Sequence, residues 1–302
     1  MYTVKHAAAL TGIPAATLRM WERRYDVVTP TRTDSGYRVY DERALQRLSA
    51  MAALVAAGWS PRQAAEHVKS GRSGAPGAAS PAEPAPRAVS GLGDVSALTR
   101  LATNLDASAL DVLLDDVFAR ATFEEVVEGW VFPALHHLGL AWHAGTVSVA
   151  GEHFVSATVQ RRIATVFESS RAEPGAPRVL VGLARGSRHE LGALAFATAL
   201  RRTGLDVVYV GGDLPPESWV HEVVRQPAAA AVIAVPASDD VLAVRETLAA
   251  LAAARPDLPL YVGGRHQARV GGPAAALGHS LADAATDVSR RVTADRLSRG
   301  SR

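Results

Sequence analysis

Apolar residues change their spacing several times along the chain, and each change marks a different kind of element. The N-terminal stretch "TVKHAAALTGIPAATLRMWERRY" carries two helical patterns separated by Thr11, Gly12 and Ile13. Pro14 stands where a second helix begins without forfeiting a needed N–H. At 100° per residue, Leu18, Trp21 and Tyr25 share one face of that second helix, while Ala16, Arg19 and Arg23 share another strip. "PTRTDSGYRVY" follows, with Asp34, Ser35 and Gly36 supplying turn chemistry between short extended arms. This predicts a hairpin wing that carries Arg32, Tyr37 and Arg38. Residues 71–92 are Gly, Ala, Pro and Ser with little to bury, a flexible to semi-extended linker. Helical spacing returns over 93–174, with Leu105, Leu110, Leu113, Leu114, Val117 and Phe118 on one stripe and Phe154, Val155, Val159, Ile163 and Val166 on a second. Beyond 175 come the β-branched runs "RVLVGLA", "DVVYVGG", "AAVIAV" and "PLYVGG", each separated from the next by a helix-length segment. That alternation predicts a parallel sheet of βαβ units, followed by a helical tail from about 285 that frays.

Composition narrows the function classes. A chain of 302 residues can bury two or three cores. Its 32 Lys and Arg against 30 Asp and Glu give no overall polyanion-binding signature, so affinity for nucleic acid needs a local patch. Residues 1–70 provide one, with ten Lys and Arg against six Asp and Glu, a net +4. The absence of Cys excludes disulfides, thiolate metal sites and Cys nucleophiles. No signal-peptide pattern and no run of 18 apolar residues is present, so the expectation is a cytoplasmic protein without a membrane partner.

The N-terminal pattern resembles the MerR family of winged-helix regulators, on "TLRMWERRY" followed by "PTRTDSGYRVYDERAL". The resemblance implies a dimer on pseudo-palindromic double-stranded operator DNA. Matched by motif, Thr17, Arg19, Arg23, Tyr37 and Arg38 become candidate DNA contacts, with Arg32 of the wing beside them.

In the C-terminal half, "RGSRHELG" places His189 in the loop or first helical turn after a strand, the edge at which open α/β sheets bind ligands. Gly192, three residues on, would let a bulky ligand approach the backbone. Alone, an HxxG reads first as a surface-loop histidine. Gly263 and Gly264 end a later strand, whereas Gly211 and Gly212 read partly as strand punctuation. The span "AWHAGTVSVAGEH" contributes Trp142, His143, Glu152 and His153. By themselves these read equally as a bundle-core Trp, a loop His and helix-start polar residues, and His136 and His137 read as surface or cap residues.

Taken together, Trp-x9-Glu-His, His-x-x-Gly and the late Gly-Gly resemble the cobalamin-binding module of light-sensing regulators of the CarH and LitR type, which also begin with a MerR domain. The implied fold is multidomain: a MerR-type winged helix-turn-helix over 1–70, the linker 71–92, a four-helix bundle over 93–174 and a Rossmann-like α/β domain over 175–302. The resemblance implies adenosylcobalamin between bundle and α/β domain, with His189 as lower cobalt ligand and Gly192, Gly263 and Gly264 against the cofactor. Trp142 would then cap the upper face beside the adenosyl group, Glu152 and His153 would line that group or support the dark assembly, and His143 would bind cobalt after light. The implied function is a non-enzymatic repressor, a dimer or tetramer, that leaves DNA when light removes adenosyl. Two departures stand out. Ser187 occupies the slot where the family's loop carries an acid that orients the ligating His, although Glu190 lies next to His189. "AVPASDD" has Ala234 and Pro236 around the place of the family's serine, with Ser238 further on. Ser187 favours the alternative, a MerR-type regulator whose module takes another ligand or a protein partner and ignores light. A cobalamin-dependent mutase or methyltransferase would need a further substrate domain, for which no region is left.

Overall fold

The computed structural model describes residues 2–11, 13–32, 38–56, 61–69 and 91–300, and the chain divides into two units, residues 1–82 and 83–302. In the first unit α1 (Val4–Thr11) and α2 (Ala15–Tyr25) form the expected helix-turn-helix. Pro14 is the N-cap of α2 rather than its first residue, and its carbonyl accepts the Leu18 N–H at 3.0 Å. Asp26 ends the helix in a left-handed conformation, φ 49°. Leu18 and Trp21 are buried, and Tyr25 packs on a core that includes Ile13, Val28, Tyr40, Leu48 and Met51. The wing's arms are β2 (Thr31–Arg32) and β3 (Arg38–Tyr40), paired antiparallel; its turn residues Asp34, Ser35, Gly36 and Tyr37 lie outside the described residues. Thr3, which continues the helical pattern in the sequence, instead joins Tyr2 in β1 (Tyr2–Thr3), because the free edge of β3 offers it ladder hydrogen bonds. α3 (Glu42–Ala56) and α4 (Pro61–Lys69) complete the unit. Residues 70–90, most of the stretch read as linker, lie outside the described residues.

The second unit begins with the bundle: α5 (Ala97–Asn104), α6 (Ala107–Phe118), α7 (Phe123–Val126) running through a π turn (Val127–Val131) into α8 (Phe132–His143), and α9 (Val149–Ser169). Side-chain caps set the starts of three of these: Asp106 for α6, a Thr122/Glu125 capping box for α7 and Ser148 for α9. Leu92, placed at the end of the linker in the sequence, is buried in the bundle core, since an apolar side chain beside Trp130 and Val117 is worth more inside than in water.

The bundle leads into a five-stranded parallel sheet: β4 (Arg178–Ala184), β5 (Asp206–Leu214), β6 (Ala228–Ala234), β7 (Leu260–Gly263) and a short β8 (Ala275–Ala276), in the order β5-β4-β6-β7-β8. Four of the five coincide with the β-branched runs; β8, two alanines long, has no such signal. Gly211 and Gly212 do not end β5, which continues to Leu214. The helices are α10 (Leu191–Arg202), α11 (Pro216–Arg225), α12 (Val241–Ala254) and α13 (Leu281–Gly300). One core unites the bundle, α10, α13 and one sheet face; a second, around Trp219, Val223, Val244 and Leu248, fills the other face. α10 is buried from Ala193 to Leu200 because it lies between the sheet and α9, and its alanines let both approach. The chain leaves β4 for β5 on one side and returns to β6 on the other, which creates a crevice outside the carboxyl ends of these strands.

Candidate functional site

That crevice is roofed by the bundle to make a cavity of about 1270 Å³. Drug-sized ligands occupy roughly 300–1,000 Å³, so this cavity suits a larger occupant. The α/β wall comes from Val232 and Ala234 at the end of β6 with Pro236 just beyond it, Gly263 and Gly264 at the end of β7, and Gly192 and Ala193 at the start of α10. Bare backbone faces part of it. A Cβ on Gly192 would meet nothing within 4 Å, and Gly264 adopts φ +98° with its missing Cβ 3.1 Å from the Val235 backbone. The bundle wall carries Arg120, Glu128, Phe132 and His136, with Arg265 and His279 contributed by the α/β side.

Three of the sequence-predicted cofactor residues, Gly192, Gly263 and Gly264, therefore share one wall. His189 stands in the loop that feeds α10, three residues before Gly192. It is exposed, and among the described residues no hydrogen bond or ion pair engages its ring. Ser187, two positions earlier, is 1% exposed with its Oγ unpartnered. Glu190 does not serve the histidine: its carboxylate accepts the Tyr209 hydroxyl at 2.9 Å. Trp142, Glu152 and His153 stand apart from this wall. Trp142 is 40% exposed near the end of α8, and His143 is the last residue of that helix. At the start of α9, Glu152 bonds His153 Nδ1 at 2.6 Å and accepts the Ser156 hydroxyl at 2.6 Å.

His136, set aside in the sequence as a surface or cap residue, is a cavity residue. Burial lowers its pKa, and the nearby Arg265 and His137 lower it further. Its neighbour His137 turns into the bundle, Nδ1 3.0 Å from Thr99 Oγ1. The available signal was the spacing of Gly129, Phe132 and His136, one helical face. Two acids of the same helical run grip the α/β elements. Glu124 pairs with Arg202 at 2.8 Å, and the Glu128 carboxylate accepts the Leu281 N–H that opens α13.

The first unit presents a separate surface. Ala16, Arg19 and Arg23 are exposed on the α2 strip away from Leu18 and Trp21, and Thr17 is half-buried beside them. Arg38 directs Nε to Glu22 Oε1 at 2.9 Å, and the Tyr40 hydroxyl donates to Oε2 at 3.2 Å, so one carboxylate of α2 holds the wing strand. Burial first, then the Glu22 charge, pushes the Tyr40 pKa up to about 12. Arg32 pairs with Arg38 across the β2–β3 ladder, and Tyr37 lies outside the described residues.

Comparison with known proteins follows this division. Residues 2–70 match the MerR HTH family regulatory protein model, while residues 95–166 and 177–282 each match a B12 binding domain model. The HTH-type transcriptional repressor CarH of Myxococcus xanthus is 29% identical over 268 residues, 87% of this chain and 88% of that protein. The repressor CarA of the same organism is 29% identical over 214 residues, 70% and 68% of the two chains. The Methanosarcina barkeri monomethylamine corrinoid protein shares the fold, with a TM-score of 0.53 over 64% of this chain and 96% of that one at 14% identity.

Proposed function

We propose that this chain, which joins a MerR helix-turn-helix domain to B12-binding domains and is homologous to the CarH and CarA repressors, is a cytoplasmic, non-enzymatic repressor that senses light through adenosylcobalamin. One observation carries the reading: a cavity of about 1270 Å³ between bundle and sheet edge, with glycine backbone on its wall and an unengaged His189 in the loop leading to it. The residues present fit the cofactor. Gly192 offers open backbone, and the buried, unpartnered Ser187 Oγ beside His189 is a hydrogen-bonding group with its partner missing. His189 would hold the cobalt from below, while Gly263 and Gly264 would lie against the nucleotide tail. Trp142, His143, Glu152 and His153 would serve the adenosyl side, with His143 taking the cobalt after light. When bound, adenosylcobalamin supplies a cobalt–carbon bond that visible light breaks.

The DNA half of the proposal rests on α2 and the wing. Arg19 and Arg23 would enter the major groove with Thr17 beside them, and Arg32, Tyr37 and Arg38 would hold the backbone from the wing. Several such modules held by one homo-oligomer bind an operator through avidity, so disassembly alone changes occupancy. The test is the visible spectrum of the protein mixed with adenosylcobalamin in the dark and desalted, before and after green light, alongside an operator gel shift. Retained cofactor, an irreversible spectral change and loss of the shifted band are expected. Ser187, which brings no charge to the histidine, favours the second reading, a light-independent regulator with another ligand. A colourless eluate and a light-indifferent gel shift would establish that reading.

A further inference from the structure

β5 is one of the two edge strands of the sheet, and its pairing with β4 slips twice. Val181 faces Tyr209, but Gly182 faces Gly211 and Ala184 faces Leu214, so β5 gains an extra residue at each slip. Bulges of this kind re-aim side chains. Here the last of them turns Asp213, at φ +57°, back over the loop between β4 and α10. Asp213 Oδ1 accepts the Gly186 N–H at 2.7 Å, Oδ2 accepts Arg188 at 3.0 Å, and the Asp213 N–H donates to the Ser187 carbonyl at 2.8 Å. Gly212 makes the approach feasible, since a Cβ there would lie 2.8 Å from the Ser187 carbonyl oxygen. From the same strand, the Tyr209 hydroxyl fixes Glu190. Residues 186, 187, 188 and 190 are thus all hydrogen-bonded to β5, through backbone or side chain, and His189 is the one of the five with no such bond among the described residues, its exposed ring unengaged.

Building on the cobalamin reading, we propose that Asp213 is the positioning residue for His189. From the neighbouring strand it fixes the backbone of the loop that presents the imidazole, in a loop whose own position 187 holds a serine in place of an acid. The Gly186 N–H and Arg188 hold its carboxyl below the usual carboxylate range, so the clamp stays ionised.

The full-length protein tests this with three variants, Asp213→Gly, Asp213→Asn and His189→Ala. Glycine adopts the positive φ freely, so Asp213→Gly removes the side chain without straining the backbone. Asparagine tolerates that φ and can still accept the Gly186 N–H. In the ligand-free protein, amide exchange at Gly186 should accelerate in Asp213→Gly and return towards wild type in Asp213→Asn. With cobalt(II) cobalamin as probe and 15N-labelled histidine, the wild type should show the histidine nitrogen in its electron paramagnetic resonance splitting. Asp213→Gly should weaken or lose that splitting and bind the probe about 10-fold or more less tightly, with Asp213→Asn restoring most of both. Unchanged Gly186 exchange, or unchanged splitting and affinity in Asp213→Gly, overturns the clamp and leaves the cobalamin reading standing. A wild type that takes up no cobalamin overturns the cobalamin reading and the clamp with it, and a splitting that survives His189→Ala removes His189 as the ligand and overturns the clamp.

Discussion

Ser187 and His136 show how single residues in this protein take meaning from burial. The Ser187 hydroxyl is buried without a partner, and an unsatisfied hydroxyl costs about 1–3 kcal/mol. Ser187→Ala should therefore leave the ligand-free protein as stable or up to about 1 kcal/mol more stable, as a denaturant midpoint would show. The same variant should hold cobalamin less tightly by equilibrium titration if Oγ orients His189; equal affinity would remove Ser187 from that role. For His136 the sign runs through linkage. Its folded pKa lies below the ordinary 6.5, so the unfolded chain binds the proton more readily. Its stabilising contribution is complete above the ordinary value and is lost as pH falls through the folded one. Between about pH 5 and 7, the thermal midpoint of the protein should fall more steeply on acidification than that of His136→Gln, and parallel curves would contradict the assignment. The role of Ser187 was not legible in the sequence, because a serine carries no periodic mark of ending beneath a neighbouring strand; His136 shares a helical face with Gly129 and Phe132, but that spacing does not say that the face lines a cavity.

The helices are where sequence and structure agree most closely. On α2 the apolar residues Leu18 and Trp21 went inward and Arg19 and Arg23 outward, as a 3.6-residue period requires. Arg23→Ala should weaken operator binding and reduce the slope of log K against log salt by about 1 if the side chain meets a phosphate, measured by anisotropy titration at several salt concentrations. Helix-to-helix approach is set by a different feature. On α9 a Cβ at Gly151 would stand 2.5 Å from the Ala102 carbonyl oxygen of α5, whereas at Gly139 of α8 it would meet nothing within 4 Å. Gly151→Ala should cost about 1–3 kcal/mol by overpacking, while Gly139→Ala should be neutral or gain about 0.4–1 kcal/mol. Paired thermal melts read the contrast directly. The π turn at Val127–Val131 escaped the periodicity, since one extra residue in a turn shifts the helix face without changing its apolar composition.

At the scale of the whole molecule, the cavity is built entirely from residues of the second unit, Gly91 to Ala284. A fragment comprising residues 83–302 should therefore keep adenosylcobalamin through desalting while losing operator affinity. A colourless fragment from a protein that stays coloured at full length would show that the first unit contributes to the site. What the sequence by itself determined was local: the helix-turn-helix, four of the five strands of the parallel sheet, the basic first unit and the glycines of one cavity wall. Those features follow from periodicity, charge and backbone freedom, which are properties of near neighbours along the chain. Tertiary structure alone decided which marked residues meet. It brought Gly192, Gly263 and Gly264 together, added His136, Arg265 and His279, left Trp142, Glu152 and His153 off that wall, and swung Asp213 over the His189 loop. The physical reason is that burial of a face encodes only that the face is covered. The partner that covers it is chosen by strand order, by the two slips of β5 and by packing between elements far apart in the chain.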